Sequence, residues 1–157
     1  MIEAGQPAPD FTAQTTDGRT VRLADLGGRA VVLYFFPRAF TYGCTIEAQQ
    51  FKEAYPEIQK LGAELYGVSP DSHPTQCDFA GHLGIPFPMI GDEDMGVGEK
   101  FGVPFPFVKR YRRVSFVIDD ARVVRSVIKH EIMISRHRED VLECLTQLAR
   151  ERAAKAG

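Results

Sequence analysis

The residues whose types and spacing could support chemistry lie between Pro37 and Cys44, where a short apolar run meets a segment of helical spacing. Cysteine reacts as its thiolate, and the unpaired N–H groups and positive dipole end of a helix N-terminus favour that anion. Cys44 lies at or just inside the start of the helical segment, so we predict a reactive thiol rather than an inert buried residue. Thr41 supplies a hydroxyl that could bond the sulfur or an oxygen attached to it.

Two elements must position this thiol. Residues 31–36 are β-branched and aromatic, which predicts a strand buried on both faces, and Pro37 ends the strand because proline cannot donate to a β-ladder. The residues after Thr45 predict a helix, because apolar side chains recur at helical spacing with carboxylates between them. The apolar positions are Phe51, Ala54, Tyr55, Ile58 and Leu61, and Glu47, Glu53 and Glu57 are predicted on the other faces.

Arg113 is the second candidate for chemistry. Its neighbours in the basic run 109–112 are interpreted as a solvated face, with Arg112 as the nearest alternative. Arg113 differs because alternation along the strand that follows places it on the same side of the sheet as Ser115. A guanidinium stays charged and presents several donors in a fixed fork, so beside Cys44 it would stabilise the thiolate.

Composition and charge limit the class of protein. A chain of 157 residues fits a single domain, residues 1–157, and a net charge of -2 gives no reason to expect nucleic acid or an anionic membrane as partner. The first residues contain no signal-like segment, and no apolar run approaches the roughly 18 residues of a membrane span, so we expect a soluble, cytoplasmic protein. Residues 152–157 are predicted to form a flexible tail.

The remaining cysteines and the histidines allow fewer conclusions. Three cysteines are too few and too scattered for a secreted disulfide framework. Cys77, on the next predicted helix, could react with Cys44 or simply pack, whereas Cys144 falls on the apolar stripe of the last helix and is interpreted as a core residue. The four histidines form no ligand set, so neither a metal nor an organic cofactor is expected.

Strands and helices alternate early in the chain and are followed by a β-hairpin and a final helix. This order predicts an α/β protein with a mixed sheet. Asp17-Gly18 predicts an N-terminal β-hairpin between residues 11–14 and 20–23. The other predicted elements are a helical turn at 23–28, strands at 64–69, 87–90, 114–118 and 123–128, helices at 74–84, 93–101 and 136–154, and a loop at 102–111.

The motif Pro37-x-x-x-Thr41-x-x-Cys44 resembles the peroxidatic motif of the peroxiredoxins. Further runs along nearly the whole chain resemble the peroxiredoxin Q, or bacterioferritin comigratory protein, branch of that family. These runs are 34–37, 43–47, 67–72, 86–88, 91–94 and 113–119.

The resemblance implies a thioredoxin-like fold with an added N-terminal β-hairpin, and it favours a monomer. It also implies thiol-dependent reduction of hydrogen peroxide and small organic hydroperoxides without a cofactor. Cys44 would attack the peroxide as the peroxidatic cysteine, with Pro37, Thr41 and Arg113 completing the catalytic site.

The sequence departs from the commonest pattern of this branch at two positions. Gln49 stands where many members carry the resolving cysteine, the thiol that attacks the sulfenic acid. Because some relatives carry that cysteine on the following helix, Cys77 is expected to form an intramolecular disulfide with Cys44, which a thioredoxin- or glutaredoxin-like reductant would recycle. Tyr42 replaces the usual proline, which should make the turn before Cys44 easier to unwind.

Three alternatives stay open from the sequence. The first is a one-cysteine peroxidase in which an external thiol resolves Cys44. The second is a thioredoxin-type disulfide exchanger, which normally needs a Cys-x-x-Cys pair and finds Thr41 where the first cysteine would stand. The third is a non-enzymatic redox sensor in which oxidised Cys44 changes a partner surface.

Overall fold

The computed structural model describes residues 1–156 and contains seven strands and four α-helices. The strands are β1 (Thr12–Gln14), β2 (Thr20–Arg22), β3 (Ala30–Phe35), β4 (Ala63–Ser69), β5 (Met89–Gly91), β6 (Val114–Ile118) and β7 (Val124–Lys129). The helices are α1 (Tyr42–Lys60), α2 (His73–Leu83), α3 (Gly96–Phe101) and α4 (Ser135–Ala156), and a 3-10 turn covers Leu23–Asp25. Within residues 1–156, no helix combines the length and the apolar character needed to cross a membrane.

Five of the strands form one mixed sheet in the order β5-β4-β3-β6-β7. β3, β4 and β5 run parallel, whereas β6 is antiparallel to both β3 and β7. β1 and β2 form a separate antiparallel pair, in which Thr12 lies opposite Arg22. The predicted α/β fold class is therefore confirmed: a thioredoxin-like sheet flanked by helices, with an N-terminal β-hairpin.

The central strand β3 is fully buried, as its apolar sequence predicted, and its side chains alternate between two hydrophobic clusters. Val32 and Tyr34 face the cluster formed with α1, α2 and α4. Val31, Leu33 and Phe35 face the second cluster, which includes residues of the hairpin, of α3 and of the segment after it. The loop that leaves β3 is thus fixed by a strand that packs on both sides.

The register between β3 and β6 determines what lies beside that loop. Phe35, the last residue of β3, is paired with Val114, the first residue of β6. Arg113 therefore lies opposite Phe36, at the point where the chain turns toward Cys44. This pairing helps to bring together Cys44 and Arg113, which are 69 residues apart in the sequence.

Some boundaries differ from those predicted. α3 begins at Gly96 rather than Glu93, because the carboxylate of Asp92 accepts the N–H groups of Val97 and Gly98 and so fixes the helix start. α4 continues to Ala156, and the guanidinium of Arg152 donates to the Leu61 carbonyl at 2.7 Å. The flexibility predicted for residues 152–157 stays a prediction, and Gly157 lies outside the described residues.

Gly67 in β4 should not tolerate a side chain. A Cβ atom there would lie 2.8 Å from Cζ and from the hydroxyl oxygen of Tyr34, and 2.8 Å from Cε of Met89, all within the core. We expect Gly67→Ala to lower the free energy of unfolding by about 1–3 kcal/mol through overpacking, as measured by urea denaturation. The matched control is Gly81→Ala in α2, where nothing lies within 4 Å and alanine should be neutral or stabilising by up to about 1 kcal/mol. Equal stability of the two variants would contradict this account of the strand.

Candidate active site

Cys44 lies in the first turn of α1, which begins at Tyr42. Cys44 is 1% exposed, and its thiol forms no disulfide. The first N–H groups of a helix have no acceptor four residues earlier, and the side chain of Thr41 does not cap them. The predicted position of Cys44 is confirmed: the sulfur is buried at the positive end of a helix of 19 residues.

The loop before α1 is held by contacts with the segment that follows β4 and with α2. The carboxylate of Asp71 accepts the N–H of Ala39 at 2.7 Å and the hydroxyl of Ser69 at 2.6 Å. Phe40 has a φ of 64°, a left-handed conformation that is costly for a bulky residue, and its ring packs edge-on against Phe79 of α2 at 5.2 Å. Sequence reasoning missed Asp71, which fixes the loop through its backbone rather than through the sulfur.

Arg113 reaches the sulfur directly. Its Nη1 donates to Sγ of Cys44 at 3.6 Å, and the residue is only 6% exposed. The guanidinium passes over Gly43, where a Cβ would lie 3.1 Å from Nη2. Arg112, the alternative one residue earlier, instead places its guanidinium over the ring of Phe105. The structure thus brings together the thiol and the arginine selected from the sequence.

Glu47 is the functional residue that sequence reasoning placed wrongly. It was predicted on a polar face of α1, but it is fully buried and its Oε1 accepts Nη1 of Arg113 at 2.8 Å. Burial, only partly offset by Arg113, raises the pKa of Glu47 to about 7. Its position three residues after Cys44 was the available signal, because residues three apart lie on the same side of a helix.

Behind Glu47 lie two further buried polar side chains that sequence reasoning did not select. Nδ1 of His137, in α4, is 3.7 Å from Oε2 of Glu47 and 2.8 Å from Oγ of Ser115. Burial lowers the pKa of His137 to about 4, so the imidazole is neutral at physiological pH and forms no ion pair with Glu47. Arg113, directly before β6, and Ser115, within it, lie on the same side of the sheet, as alternation predicted.

Thr41 and Pro37 were predicted as the remaining members of the site. The Thr41 hydroxyl donates to the Arg38 carbonyl at 2.8 Å and not to the sulfur, so the predicted hydroxyl–sulfur bond is not formed in this structure. Its oxygen keeps lone pairs that can accept a hydrogen bond from a bound molecule. Pro37 is half-buried directly after Phe36, whose N–H makes the last bond to β4, at the Val68 carbonyl.

Cys77 lies on α2 and contacts His73 rather than Cys44. Its Sγ is 3.4 Å from Nε2 of His73, one turn earlier on the same helix. Phe79, which packs toward the active loop through Phe36 and Phe40, is two residues later, a rotation of roughly 200° about the helix axis. Cys77 therefore faces away from the loop that precedes Cys44, and the residue lines a groove of about 300 Å³.

The third cysteine has the environment of a packing residue. Cys144 is half-buried on α4, where it packs against the same core cluster as Cys44, and burial raises the pKa of its thiol. Among residues 1–156, no three His, Cys, Asp or Glu side chains are placed to hold a metal ion. The chemistry available is that of a buried thiol with a guanidinium and helix N–H donors around it, which can stabilise negative charge during attack on an electrophilic oxygen.

Comparison with known proteins relates this chain to one protein family and to individual relatives in it. The profile of the AhpC/TSA family matches residues 4–127. Peroxiredoxin Q of Sedum lineare, a chloroplast protein, is 34% identical over 148 residues, which cover 94% of this chain and 80% of the relative.

Two crystal structures are close to this one. Peroxidoxin BcpB of Mycobacterium tuberculosis has a TM-score of 0.88 and 31% identity, covering 94% of this chain and 99% of that protein. The bacterioferritin comigratory protein of Xanthomonas campestris, described for its alkyl peroxide reduction activity, has a TM-score of 0.85 and 27% identity, with the same coverage of 94% and 99%.

Glu47→Gln should change how stability depends on pH. Because the pKa of Glu47 is raised from 4.5 to about 7 on folding, the folded state binds this proton more tightly than the unfolded chain does. The resulting stabilisation is present below the unfolded value and is lost as the pH rises through the folded value. Glutamine does not titrate, so the free energy of unfolding should shift in favour of the variant between about pH 5 and about pH 8 in urea titrations.

The matched control for this pH dependence is Glu53→Gln, on an exposed face of the same helix, where the carboxyl is 76% exposed. Its stability curve should run parallel to that of the unmodified protein. A Glu47→Gln curve that is also parallel would contradict the protonation assigned to the buried carboxyl.

Gly43→Ala should slow the reaction of the Cys44 thiol without unfolding the protein. The added Cβ would meet Nη2 of Arg113 and Cδ1 of Ile134 at 3.1 Å each, so the guanidinium must move by a few tenths of an ångström. We expect roughly tenfold slower alkylation of Cys44 by iodoacetamide, since small displacements of a positioned group are costly. An unchanged alkylation rate, with Gly81→Ala as control, would show that the guanidinium position is not critical.

Proposed function

Since this chain belongs to the AhpC/TSA family and is a peroxiredoxin, a thiol-dependent peroxidase, we propose that Cys44 is the thiol that reduces its peroxide substrates. The observation that carries the assignment is the contact of 3.6 Å between Nη1 of Arg113 and the buried Sγ of Cys44. A charge-assisted donor at that distance stabilises the thiolate and is placed to bind a peroxide oxygen.

The reaction needs no group beyond those at the site. The Cys44 thiolate attacks one oxygen of ROOH, an S–O bond forms, and the O–O bond breaks. The sulfur is oxidised by two electrons and becomes a sulfenic acid, while the leaving RO⁻ takes up a proton and departs as ROH. Arg113 and the first-turn N–H groups of α1 stabilise the negative charge as it moves from sulfur to oxygen.

We propose hydrogen peroxide and small organic hydroperoxides as substrates. Two exposed aromatic side chains shortly before Cys44 in the sequence support the second class: Phe40 is 53% exposed and Tyr42 is 85% exposed. An alkyl group that remains outside the buried site would lie against these rings. The Thr41 hydroxyl, which donates its own hydrogen bond to the Arg38 carbonyl, can accept a hydrogen bond from ROO–H and so orient the substrate.

Resolution of the sulfenic acid is assigned to Cys77. Its thiolate attacks Sγ of Cys44, the disulfide forms, and hydroxide leaves and is protonated to water. Nε2 of His73, 3.4 Å from the Cys77 sulfur, is a group that can take the thiol proton and so favour this thiolate. Because Cys77 faces away from the active loop, the first turns of α1 and α2 must unwind before the sulfurs meet.

We propose that a thioredoxin- or glutaredoxin-like dithiol then reduces the disulfide, in the cytoplasm, and that the enzyme acts as a monomer. The same orientation of Cys77 favours one competing mechanism, in which an external thiol attacks Cys44 directly and Cys77 takes no part. The redox-sensor alternative has no comparable support, because the site holds the donors that peroxide reduction requires.

Peptide mass mapping after one equivalent of hydrogen peroxide tests both cysteines. The unmodified protein should yield a Cys44–Cys77 disulfide, and Cys77→Ser should stop at the sulfenic acid and lose turnover with thioredoxin. Cys144→Ser is the matched control and should behave like the unmodified protein, whereas Cys44→Ser should consume no peroxide. If Cys77→Ser keeps full turnover, the external-thiol mechanism replaces the intramolecular one, and peroxide consumption by Cys44→Ser would overturn the assignment of the nucleophile.

A further inference from the structure

The backbone of Arg113 is held by a side chain at the point where strand pairing stops. The ladder between β6 and β7 ends at Lys129, so His130 would lie opposite Arg113 if the ladder continued by one residue. The carbonyl of His130 instead accepts Nε2–H of His137 at 2.8 Å. Oε1 of Glu131 accepts the Arg113 N–H at 2.9 Å, so a carboxylate binds the first N–H beyond the ladder.

This bond fixes the point from which the arginine side chain starts. The preceding residue, Arg112, is held separately, because its N–H donates to the Val103 carbonyl at 2.9 Å. Arg113 itself is only 6% exposed, so its N–H would be poorly hydrated if it lost the carboxylate of Glu131. A donor left without a partner in such a place is costly, and the backbone would shift to reduce that cost.

The loop between β7 and α4, which carries Glu131, also flanks the guanidinium. A Cβ atom at Gly43 would lie 3.1 Å from Nη2 of the guanidinium and 3.1 Å from Cδ1 of Ile134, so both side chains lie over the same point of α1. Ile132 and Met133 are 89% and 60% exposed, so this part of the loop packs little against the protein. The position of the loop therefore depends on its polar contacts, and the bond made by Glu131 is the contact that reaches the arginine backbone.

The charge of Glu131 and its acceptor oxygen would have opposite effects on the thiol. Burial is the main cause of the raised pKa of Glu47, and the negative charge of Glu131 adds to it. The same charge disfavours a Cys44 thiolate, so its loss alone would ease formation of the thiolate. A loss of thiol reactivity on removal of the Glu131 side chain would therefore come from the missing acceptor.

We propose that Glu131 is a positioning residue of the peroxidase site: its carboxylate holds the backbone N–H of Arg113 and thereby places the guanidinium against the sulfur of Cys44. Two contacts carry the proposal, 2.9 Å from the Arg113 amide nitrogen to Oε1 of Glu131 and 3.6 Å from Nη1 of Arg113 to Sγ of Cys44. The role rests on the proposed function of Cys44, and it is exerted through Arg113 rather than by contact with substrate.

Two substitutions of Glu131 separate the acceptor from the charge. Glu131→Gln removes the charge but keeps a side-chain oxygen at the same reach, whereas Glu131→Ala removes both. The matched control is Glu139→Ala in α4, which removes the same charge from a side chain that is 52% exposed and lies 3.6 Å from Arg136.

The measurement is the rate of Cys44 alkylation by iodoacetamide as a function of pH, quantified by peptide mass, on the full-length reduced protein. We expect Glu131→Ala to lower the rate at pH 7 by about 3- to 10-fold, the factor that one hydrogen bond is worth. The rising limb of its profile should move to higher pH by about 0.5 to 1 unit, because a displaced guanidinium stabilises the thiolate less. Glu131→Gln, which keeps the acceptor, and Glu139→Ala should stay within about twofold of the unmodified protein.

The pH profile separates this role from a merely structural one. The titratable groups that act on the thiol and its arginine, Tyr34, Glu47 and His137, are unchanged in all three variants. A structural role predicts that Glu131→Ala unfolds at lower urea concentration while the rising limb stays in place. That result, an Ala variant as fast as the unmodified protein, or a Gln variant as slow as the Ala variant, would overturn the proposal.

If Glu131→Ala does not fold, amide hydrogen exchange measured by nuclear magnetic resonance on the unmodified protein still provides a test. We expect the Arg113 N–H to be protected from exchange, and to keep that protection in Glu131→Gln. Exchange of this N–H at the rate of an unstructured peptide would exclude the proposal. Because neither alkylation nor exchange measures peroxide turnover, failure of this role differs from failure of the Cys44 assignment, which would appear as peroxide consumption by Cys44→Ser.

Discussion

One guanidinium nitrogen, Nη1 of Arg113, serves two buried acceptors, the sulfur of Cys44 and the carboxylate of Glu47. Burial by itself disfavours every charge in this cluster, and the pKa of Arg113 nevertheless stays above its usual value because Glu47 and Cys44 surround it. The remaining features of the site position this nitrogen between its two acceptors. Reactivity of the thiol is therefore a property of the cluster and not of the helix N-terminus alone.

The fold supplies this arrangement through three independent constraints. The pairing of Phe35 with Val114 sets Arg113 beside the loop that leaves β3. The first turn of α1 places Glu47 on the same side as Cys44, and Asp71 fixes the loop between strand and helix through the N–H of Ala39. Each constraint is made by rigid secondary structure or by a charged acceptor, so the site is organised before substrate arrives.

Local patterns were enough to predict much of this protein. The apolar run of β3, the turn residues of the hairpin and the spacing along α1 predicted their elements, and the strand alternation before Ser115 selected Arg113 over Arg112. These features depend on residues that are close together in the sequence, and such residues determine the hydrophobic periodicity and the turn type. The motif that ends at Cys44 also indicated the family before any contact was known.

Residues whose environment is set by distant segments were harder to predict. Glu47 was assigned to a polar face because carboxylates are rarely buried, and its partner Arg113 lies 66 residues away in the sequence. His137 lies four residues before Val141 and eight before Leu145, on the buried face of α4, so its spacing marked it as an inward-facing residue, but the sequence did not indicate which polar groups it would meet there. The start of α3 was misplaced because the carboxylate of Asp92 caps it from outside the helical pattern. In each case the contact that determines the structure joins residues of two different segments of the fold.

The left-handed backbone of Phe40, with its φ of 64°, has a consequence for the survival of the enzyme. A bulky residue in that region stores on the order of 1–3 kcal/mol, which is released when the loop leaves the closed arrangement. Opening of the loop therefore costs less than it would from an unstrained backbone, so a sulfenic acid on Cys44 would spend less time where a second peroxide could convert it irreversibly to the sulfinic acid. Strain at one backbone position thus favours resistance to overoxidation.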